Sequence, residues 1–90
     1  MNPNIKILVL NWNQRSHLFN CLSSLSGISY DNYSVSIIDN GSNDGSKQMI
    51  RTDFKEYEII SLDKNYGFSK GYNKGFNEID KQKFDYLLIL

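Results

Sequence analysis

Apolar residues come along this chain in two rhythms. In "IKILVLNWN" they form a nearly continuous, β-branched run from Ile5 to Leu10, the pattern of a strand buried on both faces of a sheet. In "SHLFNCLSSLSG" they fall instead at Leu18, Cys21, Leu22 and Leu25, a helical stripe, with Ser16 as the expected N-cap and Gly27 as the stop. "YSVSIID" reads as a second strand carrying Val35, Ile37 and Ile38, and "SKQMIRTDF" as a brief helix resting on Met49 and Ile50. "YEIISLD" reads as a third strand. "GFSKGYNKGFNEID" places Phe68, Tyr72, Phe76 and Ile79 at helical spacing despite three glycines, and "YLLIL" reads as a fourth strand buried on both faces. "DKQKFD" between these two is a solvated connector.

The order is β-α-β-α-β-α-β, without an internal repeat or a low-complexity linker. Such alternation implies right-handed crossovers and a three-layer, doubly wound, mainly parallel sheet of four strands, a Rossmann-like α/β fold. The first strand is expected at its centre, beside the second and the fourth. Composition agrees: 40% of the 90 residues are apolar and 13% aromatic, enough for a packed core and too much for disorder. Ten basic and ten acidic side chains cancel, so no positive field draws the surface to nucleic acid. Cys21 is the one cysteine, which rules out an internal disulfide and fits a reducing compartment. The opening run is too short to span a bilayer and is not flanked like a secretory signal. The expected location is cytoplasmic, with attachment to the inner face of a membrane left to other segments. Because the chain closes on Leu90 in an apolar strand, residues 1–90 are expected to be the front part of a longer domain, with the uncovered strand as a surface for self-association.

In open α/β sheets, ligands bind beyond the carboxyl ends of the strands. Three segments converge there: "NWN", "DNGSNDG" and "DKNYGFSKGYNKG". Asp39 stands where a dinucleotide fold places the acid that grips a ribose. That reading also needs glycines directly after the first strand, and this chain has Asn11, Trp12, Asn13, Gln14 and Arg15 there. NAD and FAD are therefore disfavoured, and no Walker-type loop supports nucleoside triphosphate hydrolysis. Several residues keep plain structural readings: Asp39 as a turn cap, Gly71 and Gly75 as packing glycines, His17 as a surface histidine, Cys21 as a core thiol, and Trp12 either as cover for the sheet edge or as a base platform. Lys70 and Lys74, four apart, repel when both are exposed and mark either a phosphate-facing pair or a solvated face.

"DNGSNDGS" after a strand, paired about twenty residues later with "NYGFSKGYNKG", resembles the family 2 glycosyltransferases of the GT-A fold, from Ile5 to Leu90. The second motif looks more like the rhamnosyltransferase-type branch than the processive synthases. The resemblance implies an inverting transfer of sugar from a UDP- or dTDP-linked donor to a glycan or lipid-linked acceptor. This chain would carry the donor-nucleotide half. It implies that Leu10 and Asn11 lie against the base and that Asp39 accepts its N3–H, a task suited to a group that only accepts. Asn40, Gly41, Ser42, Asp44 and Gly45 would shape the next loop, with Ser42 or Asp44 as a helix cap. Gly67, Gly71 and Gly75 would share one helix face, while Asn65 and Asn73 would line the ribose and diphosphate. Many relatives carry an arginine where this chain has Tyr72, and Lys70 is the nearby cation that would replace it. A divalent metal, Mn2+ or Mg2+, is expected for the full-length enzyme. Its acidic ligands are expected past Leu90, so the 90-residue chain alone is expected to be inactive.

Overall fold

A computed structural model describes residues 2–90. Its elements are β1 (Ile5–Asn11), α1 (Arg15–Ser26), β2 (Tyr33–Asp39), α2 (Ser46–Asp53), β3 (Glu58–Ser61), α3 (Phe68–Phe76), a 3-10 turn over Lys81–Lys83, and β4 (Tyr86–Ile89). All strand pairs are parallel, in the order β3-β2-β1-β4. The first strand is central, as its two-sided apolar run predicts.

Period-two alternation divides the core between the faces. Ile7 and Val9 of β1, with Val35 and Ile37 of β2, pack against Leu18, Leu22 and Leu25 of α1 and Ile50 and Phe54 after them. Leu8, Ile38 and Ile60 point to the other face and meet Tyr72 and Ile79. β1 and β2 are thus covered on both sides, which is why their sequence runs apolar without alternation.

Helix α3 lies against the sheet because Gly71 and Gly75 have no side chains. A Cβ on Gly75 would stand 2.2 Å from Cδ1 of Ile38, which is itself fully buried. A Cβ on Gly71 would meet the Asn40 amide at 2.9 Å and Leu10 at 3.2 Å. Gly67 precedes the helix and does not share this face; nothing stands near its missing Cβ.

Two expectations need correction. β4 is not buried on both faces: Tyr86 is 63% exposed and Leu88 46%. It is an edge strand, and only Leu87 packs against the core beneath α3. Ser16 is not the cap of α1, which starts one residue earlier at Arg15 with no cap from the preceding Gln14 side chain. Its partner comes from another loop, described below.

Gly75→Ala should lower stability by about 1–3 kcal/mol, read from the urea midpoint, because Ile38 has no space to retreat. Gly27→Ala is the control. Gly27 has φ −90° and only the Ser24 carbonyl nearby, at 3.6 Å, and its replacement should leave the midpoint almost unmoved.

Candidate functional site

The register aligns Asn11, Asp39 and Ser61 across the ends of β1, β2 and β3. Asp39 is fully buried, and a buried carboxylate must be met by donors. It has two: Asn11 Nδ2 donates to Oδ1 at 3.1 Å and the Ser42 amide to Oδ2 at 2.9 Å. The Asn11 amide also donates to Ser42 Oγ at 3.2 Å, and that oxygen accepts from the Asn13 amide at 2.9 Å. Asn13 returns the contact, its Oδ1 accepting from the Asn43 amide at 2.8 Å. Its φ of +48° is one that asparagine tolerates better than most residues. The loops after β1 and β2 are therefore laced together around one carboxylate.

Asp44 extends the lacing to both following helices. Its Oδ2 accepts from the Arg15 amide at 3.0 Å, at the start of α1, and its Oδ1 from the Ser46 amide at 3.0 Å, at the start of α2. Gly45, between Asp44 and α2, is the residue at the N-cap position itself. Partial burial pushes the Asp44 carboxyl up, but hydrogen bonds from Ser46 and Arg15 outweigh it and hold the group below its ordinary range. Beside these loops, Asn13 to His17 and Asp44 line an open polar cleft of about 680 Å3. Trp12 stands half exposed in the β1–α1 loop.

Asn40 faces the opposite way. Its amide donates to Asn65 Oδ1 and to the Gly67 carbonyl, both at 3.0 Å, and its oxygen accepts from the Tyr66 amide at 3.0 Å. Asn65 Oδ1 also accepts from the Gly67 amide at 2.8 Å. Asn40 and Asn65 thus hold the β3–α3 loop with their own polar atoms. Gly41 completes the fit: at φ +78°, a Cβ there would stand 2.6 Å from the Lys64 backbone.

The sequence-predicted residues therefore form two groups at one end of the sheet. Asn11, Asp39, Ser42, Asp44 and Gly45 gather on the α1–α2 side, whereas Leu10, Asn40, Asn65, Gly67 and Gly71 gather under α3. Asn73 joins neither. It is exposed, about 200° around α3 from the sheet-facing Gly71. Lys70 is exposed and its Nζ stands 5.5 Å from the Tyr66 ring centre. Tyr72, in the place of the arginine of many relatives, is buried and its hydroxyl donates to the Leu90 carbonyl. Asn13 and Arg15 were not singled out as site residues by sequence reasoning. The one signal for Asn13 was an asparagine directly past a strand, the residue type that accepts a left-handed turn. Among the described residues, no group of three or more His, Cys, Asp or Glu side chains could hold a metal ion. No helix among them is long and apolar enough to cross a membrane.

The family model of glycosyl transferase family 2 matches residues 6–90. The chain belongs to that family. A teichoic acid poly(glycerol phosphate) polymerase of Staphylococcus epidermidis is 26% identical over 87 residues, which is 92% of this chain and 12% of that protein. Among solved structures, S. aureus TarS 1–349 aligns with a TM-score of 0.82 at 17% identity, covering 97% of this chain and 26% of that one. The mannosyltransferase PcManGT from Pyrobaculum calidifontis, in complex with GDP-Man and Mn2+, aligns with a TM-score of 0.77 at 16% identity, covering 89% and 25%. These likenesses show the GT-A glycosyltransferase fold. The chain spans about a quarter of the solved relatives and 12% of the curated one.

Asp44→Ala should cost about 1–2 kcal/mol near pH 6, since two helix starts lose their acceptor. Because the folded carboxyl titrates below its ordinary value, its contribution is present above that value and fades as pH falls through the lowered one. Denaturant midpoints of wild type and variant should therefore converge in acid; a gap that stays constant down to about pH 2.5 would show that the carboxylate charge is not what anchors the helices.

Proposed function

We propose that this chain is the donor-nucleotide half of an inverting glycosyltransferase that uses a UDP- or dTDP-linked sugar. The observation that carries the reading is the carboxylate of Asp39 at the end of β2, set between the β1 and β2 loops. An ionised carboxylate only accepts hydrogen bonds, so it selects a base that presents a donor, as the N3–H of uracil or thymine does. Trp12 would supply the stacking face and Asn11 and Leu10 the adjoining edge. Two of the acceptor positions of Asp39 are filled and the group is fully buried. A base therefore reaches it by drawing the Ser42 loop or the Asn11 amide aside.

In the reaction, an acceptor hydroxyl would displace the nucleoside diphosphate from the anomeric carbon in one step. A divalent cation, Mn2+ or Mg2+, held by carboxylates outside residues 1–90, would offset the charge growing on the departing diphosphate. The complex of one structural relative with GDP-Man and Mn2+ supports metal use. The chain of 90 residues would bind nucleotide without turning it over. The relative named as a poly(glycerol phosphate) polymerase points to cell-wall polymers rich in phosphodiesters as the acceptor class. The enzyme would work in the cytoplasm, at the inner face of the membrane.

Titration with UDP, dTDP and GDP, followed by amide NMR, tests the donor site. UDP and dTDP at millimolar concentration should shift Asp39, Ser42 and Asn43 most, and Asp39→Asn should weaken them by about tenfold. Amides of the 39–45 loop that stay still while others move would overturn the site, and tighter binding of GDP would overturn the base.

A second reading rests on the exposed Tyr86, Leu88 and Ile89 of β4. An uncovered edge strand is a template for pairing, so a non-catalytic module would self-associate there. Light scattering discriminates: a monomer at about 100 μM excludes it.

A further inference from the structure

The β3–α3 loop and α3 carry a feature of which the donor reading uses only Lys70. The ring of Tyr66 is ringed by three lysines, with Nζ of Lys74 at 4.5 Å from its centre, Lys64 at 5.2 Å and Lys70 at 5.5 Å. Lys47 of α2 approaches the same corner, its Nζ donating to Ser61 Oγ at 3.2 Å at the end of β3. Ser61, Tyr66 and Lys74 share a hollow of about 420 Å3 with Asp63 and Glu78. Four ammonium groups thus stand against two carboxylates, in a chain whose net charge is zero. One of the two carboxylates, Asp63, is already engaged by the Tyr66 hydroxyl. Ordinarily, surface lysines diverge. Here a ring face holds three of them together against their mutual repulsion.

We propose that this lysine collar around Tyr66 is a docking surface for a phosphodiester-linked polymer, a chain with one negative charge per repeat.

Its place in the sheet sets it beside the donor site. Ser61, at the end of β3, is in register with Asp39 of β2, so the collar corner lies one strand from that carboxylate, about 4.8 Å across the ladder. A polymer held there would present its next units to the rim of the sheet. A membrane surface fits less well. Amphipathic surfaces that enter bilayers join basic to apolar side chains, and here the exposed apolar residues line the other side of α3 and the β4 edge: Phe68, paired with Tyr72, and Tyr86, Leu88 and Ile89. The inference rests on the acceptor class proposed above and not on the identity of the donor.

The test measures binding of an oligo(glycerol phosphate) of about eight repeats to the protein across a salt series, beside neutral dextran and phosphatidylglycerol vesicles. The triple variant Lys64→Gln, Lys70→Gln, Lys74→Gln should bind the oligomer at least about tenfold more weakly, with the log–log salt slope reduced by about 2 to 3. The double variant Lys81→Gln, Lys83→Gln, placed on the 3-10 turn, should behave as wild type. Lys64→Glu, a single change at an exposed position outside the donor reading, should move affinity the same way and serves if the triple variant unfolds. Wild type indifferent to the oligomer, or equal losses in the triple and double variants, would overturn the proposal. So would vesicles that bind as tightly and lose as much in the triple variant. UDP is titrated in the same samples. Absent UDP binding with oligomer binding intact would break the donor assignment and leave the collar standing.

Discussion

The candidate site depends on the cost of burying a charge. Asp39 sits fully buried at the end of a strand, and a carboxyl group in that position is tolerable only when hydrogen-bond partners replace the water. Asn11 comes from the neighbouring strand at the matching register position and Ser42 from the turn that follows. Their contacts fix where the turn must run. Because Asn11 meets an oxygen that cannot donate, its amide has one orientation, with the NH2 toward Asp39 and Ser42. The short polar residues of "DNGSNDG" answer such demands: Asp39, Asn40, Ser42 and Asp44 each satisfy a neighbour with their own side-chain atoms.

Side-chain alternation then decides which residues share a surface. Asp39 follows Val35 and Ile37 onto the side of α1 and α2, while Asn40 turns under Gly71. One peptide bond separates a residue that organises the nucleotide-side loops from one that holds the β3–α3 loop. The two conspicuous sequence motifs therefore reach the same end of the sheet from opposite faces. Asn40 is the joint between them.

The central position of β1 beside β2 and β4 and the three crossover helices were legible in the sequence, because continuous apolar runs and helical stripes differ in period. The family was legible too, from two motifs. What was not legible depended on partners distant in sequence. The acceptor for the first turn of α1 is Asp44, 29 residues away, so Ser16 looked like the nearer cap. Burial of β4 was over-read because an apolar strand looks alike whether helices cover it on one side or two. Asn73 was grouped with the site because it lies in the motif, but two glycines on the sheet-facing side of α3 turn it outward. The lysines around Tyr66 come from a loop and from two turns of a helix, and only the fold reveals that they share one ring.

One carboxylate at Asp44 terminates two helices at once. The starting points of α1 and α2 are consequently not independent bodies. A displacement that draws the 41–43 segment outward pulls on both, and the 12–14 segment follows through Asn13. Any opening of this corner would have to be concerted, because parting the 41–43 segment breaks the contacts that hold the 12–14 segment as well.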